Sequence, residues 1–247
     1  MIIGSEIIFI KNISSTNTHA SKLLYNGPAP SEGTIFYTNY QSAGKGQMGN
    51  RWESEDGKNL LFSLILFPDL ILPEDQFIIS MAVSLGICDF LSEVVPDCKI
   101  KWPNDIYIRN DKIAGVLIEN AINGNRIESS VIGIGLNINQ TTFIGDAPNP
   151  VSLKMITGKD YDTEICLKLL AGCLDQRYKQ LLSGKNDEIS DRYISLLYRL
   201  NEWHRFSTGS RIFSGKIVSV THNGHLLVED ENSTILEFSL KEISFVL

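Results

Sequence analysis

The spacing of apolar positions divides the chain into elements. Phe77, Met81, Leu85, Cys88, Leu91 and Val95 recur at three- and four-residue steps behind Pro73-Glu74-Asp75. That period and that first turn predict a helix over 73–95. Similar spacing predicts helices near 162–183 (Ile165, Leu169, Leu170, Cys173, Leu174, Leu181) and 187–200. An earlier helix starts after the capping residues Ser14-Ser15-Thr16-Asn17, runs through Ala20, Leu23 and Leu24, and stops at Asn26-Gly27-Pro28. Leu60–Phe67 is a nearly unbroken apolar run, the pattern of a strand buried on both faces. Ile7–Ile10 and Thr34–Tyr40 read as strands, as do Ile106–Ile108, Lys112–Asn120 and Arg126–Leu136, with turns at Arg109-Asn110-Asp111 and Asn123-Gly124-Asn125. Closely spaced hairpins make the sheet largely antiparallel.

From about Trp203 the pattern changes to short β-segments with tight turns: Arg211–Val220, Leu226–Glu229 and Ile235–Phe238. The chain is therefore read as an α+β unit over 1–202 followed by a small β-barrel over 203–247.

With 247 residues, 43% of them hydrophobic and 21% charged, the chain can bury a substantial core. A net charge of −7 argues against a duplex nucleic-acid binder, which needs a basic face to displace counterions. The four cysteines form no CxxC pair; three of them read as small core residues, and the expectation is a reduced compartment. His222 and His225 flank Asn223-Gly224, a hairpin turn rather than a metal site. The N-terminus lacks the pattern of a signal peptide, and no apolar run is read as long enough to span a membrane. The expectation is a cytoplasmic protein.

Candidate chemistry lies between the elements. Gly44-Lys45-Gly46-Gln47-Met48-Gly49 spells GxGxxG, but a polar stretch and then a strand follow it. A dinucleotide site requires those glycines to open a helix, so that reading fails. The segment 41–58 is left as a solvated hairpin loop, or as a lid whose N–H groups, with Lys45 and Arg51, wrap an anion. Lys101-Trp102-Pro103-Asn104-Asp105 ends a short strand in a proline turn. Strict alternation from Lys112 puts Lys112, Ala114, Val116 and Ile118 on one face and Ile113, Gly115, Leu117 and Glu119 on the other. Gly115 in this branched strand predicts close approach of a ligand or backbone. Gly133-Ile134-Gly135-Leu136-Asn137 closes the third strand with an amide that could read an adenine edge or simply end a strand.

In order and spacing these elements resemble the biotin protein ligases: Ser15-Thr16-Asn17, Gln41, the glycine loop with Trp52, KWPND at 101–105, Lys112 with Ala114-Gly115, and GIGLN at 133–137. The resemblance implies a class II synthetase-like fold with an SH3-like C-terminal barrel. It also implies a two-step reaction, in which biotin and ATP give biotinyl-5′-AMP and the biotinyl group passes to a lysine of a biotin carboxyl carrier protein. By the same resemblance, Lys112 and Asp105 are catalytic. Ser15, Thr16, Asn17, Gln41, Gly44, Lys45, Lys112 and Gly115 contact biotin. Lys45, Gly46, Arg51, Trp52, Asn104 and Asn137 contact ATP or the adenylate, and Asp105 organises Mg²⁺ or Lys112. The implied partners are biotin, ATP and the carrier domain, without nucleic acid or membrane, in a monomer or homodimer. Related alternatives are a lipoate or octanoate ligase and a non-catalytic biotin or adenylate sensor.

Two departures stand out. Many relatives carry arginines where this loop has Lys45, Gln47, Met48 and Asn50, and a lysine grips phosphate as a point charge rather than a fork. Ser15-Thr16-Asn17 also lies near the N-terminus of this sequence, and the expectation is a ligase without the DNA-binding domain that precedes this motif in some relatives.

Overall fold

The apolar runs pair with one another at the centre of one sheet. In the computed structural model, which describes residues 1–145 and 149–246, the chain runs through β1 (Ile7–Phe9), α1 (Thr16–Asn26), β2 (Ile35–Thr38), β3 (Leu60–Leu66) and α2 (Phe77–Ser92). It continues through β4 (Cys98–Lys101), β5 (Asp105–Ile108), β6 (Asp111–Asn123), β7 (Arg126–Leu136), α3 (Leu153–Thr157), α4 (Thr163–Leu182) and α5 (Asn186–Ser195). The sheet order is β1-β2-β3-β7-β6-β5-β4; β1 and β2 are parallel and every other pair is antiparallel. The expected mixed, largely antiparallel α+β architecture is therefore observed.

Alternation along β3 and β7 sorts the two faces. Phe62, Leu64, Leu66, Ile132, Ile134 and Leu136 join the main core with α2 and α4. Ile65 and Val131 meet Ala20 of α1 on the other side. Helix α2, behind a 3₁₀ turn at Pro73–Asp75, is buried on nearly all sides between the sheet and α4 and α5. The run Pro73–Ser92 is in fact long and apolar enough to span a membrane by composition, which corrects the sequence reading. Its apolar surface is instead covered by the fold, 72% of the window being buried.

A second, five-stranded antiparallel sheet is built from β8 (Trp203–Ser207), β9 (Ile212–Val220), β10 (Leu226–Asp230), β11 (Ile235–Phe238) and β12 (Ser244–Phe245), in the order β11-β10-β9-β8-β12. Leu247, at the end of the expected second unit, lies outside the described residues. Strands β8 and β12 and helix α3 are additions to the sequence reading. The helix expected over 187–200 ends at Ser195. There the backbone leaves the helix to pair with the outer edge of β4, Ile100 N donating to Leu196 O and Tyr198 N to Ile100 O, both at 2.8 Å. Arg199 and Asn201 then take left-handed conformations (φ 62° and 59°).

Candidate active site

The face of the sheet that carries α1 loses its apolar side chains at three adjacent positions. Gly115 of β6 pairs with Gly135 of β7, and Leu117 pairs with Gly133. A Cβ on Gly135 would overlap the Trp52 ring, one on Gly115 would stand 2.9 Å from it, and one on Gly133 would overlap the Asn17 amide. The glycines thus form a floor on which an indole and an amide lie directly against backbone.

Trp52 reaches this floor through the glycine loop. The loop closes as a hairpin, with Lys45 bridged to Arg51, Gly46 N donating to Asn50 O (2.7 Å) and Trp52 N donating to Gly44 O (3.1 Å). A 3₁₀ turn occupies Gln47–Gly49, so no helix follows the glycines and the dinucleotide reading is excluded. Gly44 is needed for closeness, since a Cβ there would stand 2.7 Å from Trp52 O and 3.2 Å from Gln41 Nε2. Lys45 and Arg51 are exposed, and among the described residues neither forms an ion pair.

Lys112 meets the same floor, which corrects the strict alternation drawn from sequence. The β5–β6 register runs Asp105↔Gly115 and Ile106↔Ala114, then jumps to Tyr107↔Lys112. Ile113 is the extra residue of a bulge. Ile113 and Ala114 are both fully buried, and Lys112 falls on the side of Gly115, its Cε 3.4 Å from where a Gly115 Cβ would be. Lys112 Nζ pairs with Asp105 Oδ1 at 2.7 Å and stands 5.6 Å from the centre of a Trp52 ring. The segment after the undescribed residues secures the bulge: Lys112 N donates to Asn149 O (2.8 Å) and Val151 N donates to Lys112 O (2.9 Å). Asn137 joins this arrangement, its Nδ2 donating to Val151 O (3.0 Å), while its buried Oδ1 has no partner among the described residues.

The other end of the floor is a polar wall. Ser15 caps α1, its hydroxyl accepting from Thr18 N, so its side chain is committed to the helix start. Segment 41–43 runs beside 13–14, with Ala43 N donating to Ser14 O (2.9 Å). Gln41 Oε1 thereby accepts from Thr16 N (2.7 Å) and from Thr16 Oγ1 (3.2 Å). Ser63, fully buried on β3, contacts Thr16 Oγ1 at 2.7 Å and donates to Asn17 Oδ1 at 2.5 Å. Asn17 Nδ2 donates to Glu119 Oε2 (2.8 Å) and Leu117 O (3.3 Å).

The structure thus gathers Thr16, Asn17, Gln41, Gly44, Trp52, Asp105, Lys112 and Gly115 around one floor, with Asn137 tied to the backbone that holds Lys112. It turns Asn104 elsewhere: the buried amide donates to Val116 O, and the residue lines a cleft of about 380 Å³ with Trp102, Phe77, Gly224 and Leu240. Gln47 of the glycine loop lines the same cleft, with Val116 of β6 and Ser80 of α2. Lys101 is also turned from Lys112, toward Tyr107 Oη (3.1 Å) and the Phe245 ring (5.0 Å), and burial holds its ammonium below the usual lysine value. Sequence reasoning missed Ser63 as a functional residue and placed Glu119 on a face without giving it a role. A lone hydroxyl inside Leu60–Leu66, on the alternation that leads to α1, was the available signal for Ser63.

A glycine floor under an indole, a paired ammonium at one end and a hydrogen-bonding wall at the other define a site for an acid with a polar head, activated beside a lysine. The comparisons agree with that class. The model of the Biotin/lipoate A/B protein ligase family matches residues 9–137. The bifunctional ligase/repressor BirA of Bacillus spizizenii is 32% identical over 93% of this chain and 71% of its own length. The biotin–[acetyl-CoA-carboxylase] ligase of Paracoccus denitrificans is 29% identical, over 87% of this chain and 90% of its own. Among solved structures, the biotin protein ligase of Aquifex aeolicus in complex with biotin and ATP superposes with a TM-score of 0.81 at 27% identity, covering 97% of this chain and 98% of that one. The chain belongs to the biotin/lipoate A/B protein ligase family.

Proposed function

We propose that this enzyme joins biotin to ATP as biotinyl-5′-adenylate and passes the biotinyl group to a lysine of a biotin carboxyl carrier domain. The observation that carries the reading is the Lys112–Asp105 pair on the glycine floor, facing the wall of Thr16, Gln41, Ser63 and Asn17. In the first step a carboxylate oxygen attacks the α-phosphorus and pyrophosphate leaves. Two anions must be brought together, and charge grows on the phosphoryl oxygens. A fixed ammonium at Lys112, oriented by Asp105, neutralises both. Trp52 supplies an aromatic face beside that ammonium, where it can cover the reacting atoms and exclude water. In the second step the acceptor amine attacks the acyl carbon and AMP leaves.

The polar wall favours biotin over lipoate. A cyclic urea offers two N–H donors and a carbonyl. A dithiolane offers neither, so it matches this polar wall less well than a urea does. Mg²⁺ is read as arriving with the nucleotide. No group of three or more metal-binding side chains exists among the described residues, and Asp105 is already paired with Lys112. The cation then depends chiefly on phosphate oxygens, as is usual for Mg²⁺, with Asp105 the neighbouring carboxylate. The second sheet, over residues 203–246, is proposed to be a separate small unit beside the site.

Pyrophosphate exchange into ATP, measured with biotin and then with lipoate, tests the reading. Exchange with biotin alone is expected; exchange with lipoate alone overturns it.

A further inference from the structure

The chain that leaves β7 runs first beside the residues that follow Trp52. Ile138 N donates to Asn59 Oδ1 (3.0 Å) and Asn139 N to Lys58 O (2.8 Å). Gln140 continues the contact, its Oε1 accepting from Glu55 N (3.0 Å) and from Asn59 Nδ2 (2.6 Å). At its far end the segment reaches Lys112, where Asn149 O accepts from Lys112 N and Val151 N donates to Lys112 O. Residues 138–151 are therefore a strap, rooted at one end beside the Trp52 loop and at the other on the backbone of the reactive lysine.

The middle of the strap is held at one place. Between Thr142 and Asn149 the hydrogen bonds among the described residues all go to Glu53: its Oε1 accepts from Ile144 N at 2.9 Å and its Oε2 from Gly145 N at 2.7 Å. An ionised carboxylate is acceptor-only with two oxygens, so it fits two consecutive N–H groups, and its charge strengthens both bonds. Gly145 lets it come close, since a Cβ there would stand 2.6 Å from Oε2. Ile144 does not hold the strap by packing, because it is 89% exposed. No lysine or arginine competes for Glu53 in an ion pair among the described residues. Glu53 directly follows Trp52, whose ring lies on the floor against Gly135 and Gly115. One dipeptide thus touches the floor with its first side chain and the strap with its second.

We infer that Glu53 is a positioning residue: its carboxylate latches the strap to the Trp52 loop and so keeps the nucleotide end of the site closed around the adenylate. The inference rests on the biotin-ligase reading and adds to it the residue that holds the loop and the support of Lys112 together. The head-group wall of Thr16, Gln41, Ser63 and Asn17 stands at the other end of the floor, and its bonds involve no residue of the strap. Free biotin should therefore not depend on the latch, whereas the adenylate should.

Titration calorimetry with biotin and with a non-hydrolysable biotinyl-adenylate analogue, on the wild type, Glu53→Ala and Glu53→Asp, tests it. Glu53→Ala is expected to bind biotin as the wild type does and the analogue about three- to tenfold more weakly. That is the loss of a charge-assisted hydrogen bond, discounted for its exposure to water. Glu53→Asp is expected to recover part of the loss, because an exposed strap can follow the shorter carboxylate. A merely structural role would neither separate the two ligands nor respond to the restored charge. Wild-type affinity for the analogue in Glu53→Ala, equal loss of biotin and analogue, or no recovery in Glu53→Asp overturns the inference alone. Absence of biotin binding by the wild type overturns the ligase reading and this inference with it.

Discussion

Lys112 and Gly115, three residues apart in one strand, face the same side of the sheet. Ile113 is the reason: as the extra residue of the bulge it turns inward together with Ala114, and the ammonium comes round to the glycine floor and to Asp105. Without the bulge, alternation would send Lys112 toward the core helix. The bulge thus converts a lysine at a strand end into one fixed against a carboxylate and an indole.

The floor can be tested at its most crowded point. Gly135→Ala places a methyl group inside the volume of the Trp52 ring. The indole must leave the floor while the strand remains. Affinity for a non-hydrolysable biotinyl-adenylate analogue should fall by about 1–3 kcal/mol, the usual cost of overpacking, while thermal stability changes less. Titration calorimetry and a thermal melt separate the two.

The hairpin of residues 44–51 is predicted to act as a lid. Its exposed Lys45 and Arg51 have no ion-pair partner among the described residues, and its closure relies on a few backbone bonds. Biotin with ATP should slow proteolysis within this segment. Equal cleavage with and without ligands would remove the lid.

Trp102 ties the second sheet to the KWPND turn, its indole N–H donating to Gly224 O at 2.9 Å. Trp102→Phe leaves that buried carbonyl unpaired and should cost about 1–3 kcal/mol in denaturant unfolding. Biotin affinity should be unaffected, because the residue lies on the opposite side of β6 from the head-group wall.

Asp175 predicts the acid limb of stability. Burial pushes its carboxyl up, but Lys179 and the N–H groups of Ile2 (2.6 Å) and Ile3 (3.0 Å) more than offset this and hold it below the usual aspartate value. A carboxyl depressed by folding contributes stability above its unfolded pKa, and loses it as pH falls through the folded one. The wild type should therefore lose this contribution below about pH 4. Asp175→Asn should be less stable at pH 7 by about 1–3 kcal/mol, with the difference shrinking in strong acid. A constant difference from pH 7 to pH 2 would contradict the assignment.

Much of this was legible in the sequence because it depends on local pattern. The unbroken run Leu60–Phe67 and the three-and-four spacing of α2 gave the sheet centre and its covering helix. Gly115 in a branched strand marked where something had to approach the backbone, whereas the same role of Gly133 and Gly135 emerges only from their pairing with Leu117 and Gly115. The bulge was hidden, because an extra residue in β6 is defined only by its pairing with β5. The backbone bond from the Asn104 amide to Val116 was hidden for a related reason, because that partner is set by the β5–β6 pairing rather than by the motif. Strands β8 and β12 escaped notice because each is short and gains its stability from a neighbour distant in sequence.

The central claim is that Lys112 joins two anions on the glycine floor. Biotin-dependent exchange of pyrophosphate into ATP, compared between the wild type and Lys112→Ala, tests it most directly. The variant should fold and melt like the wild type and exchange about 10²–10³ times more slowly, the effect of removing one preorganised charge-stabilising group. Exchange at the wild-type rate in a folded Lys112→Ala protein would contradict the account.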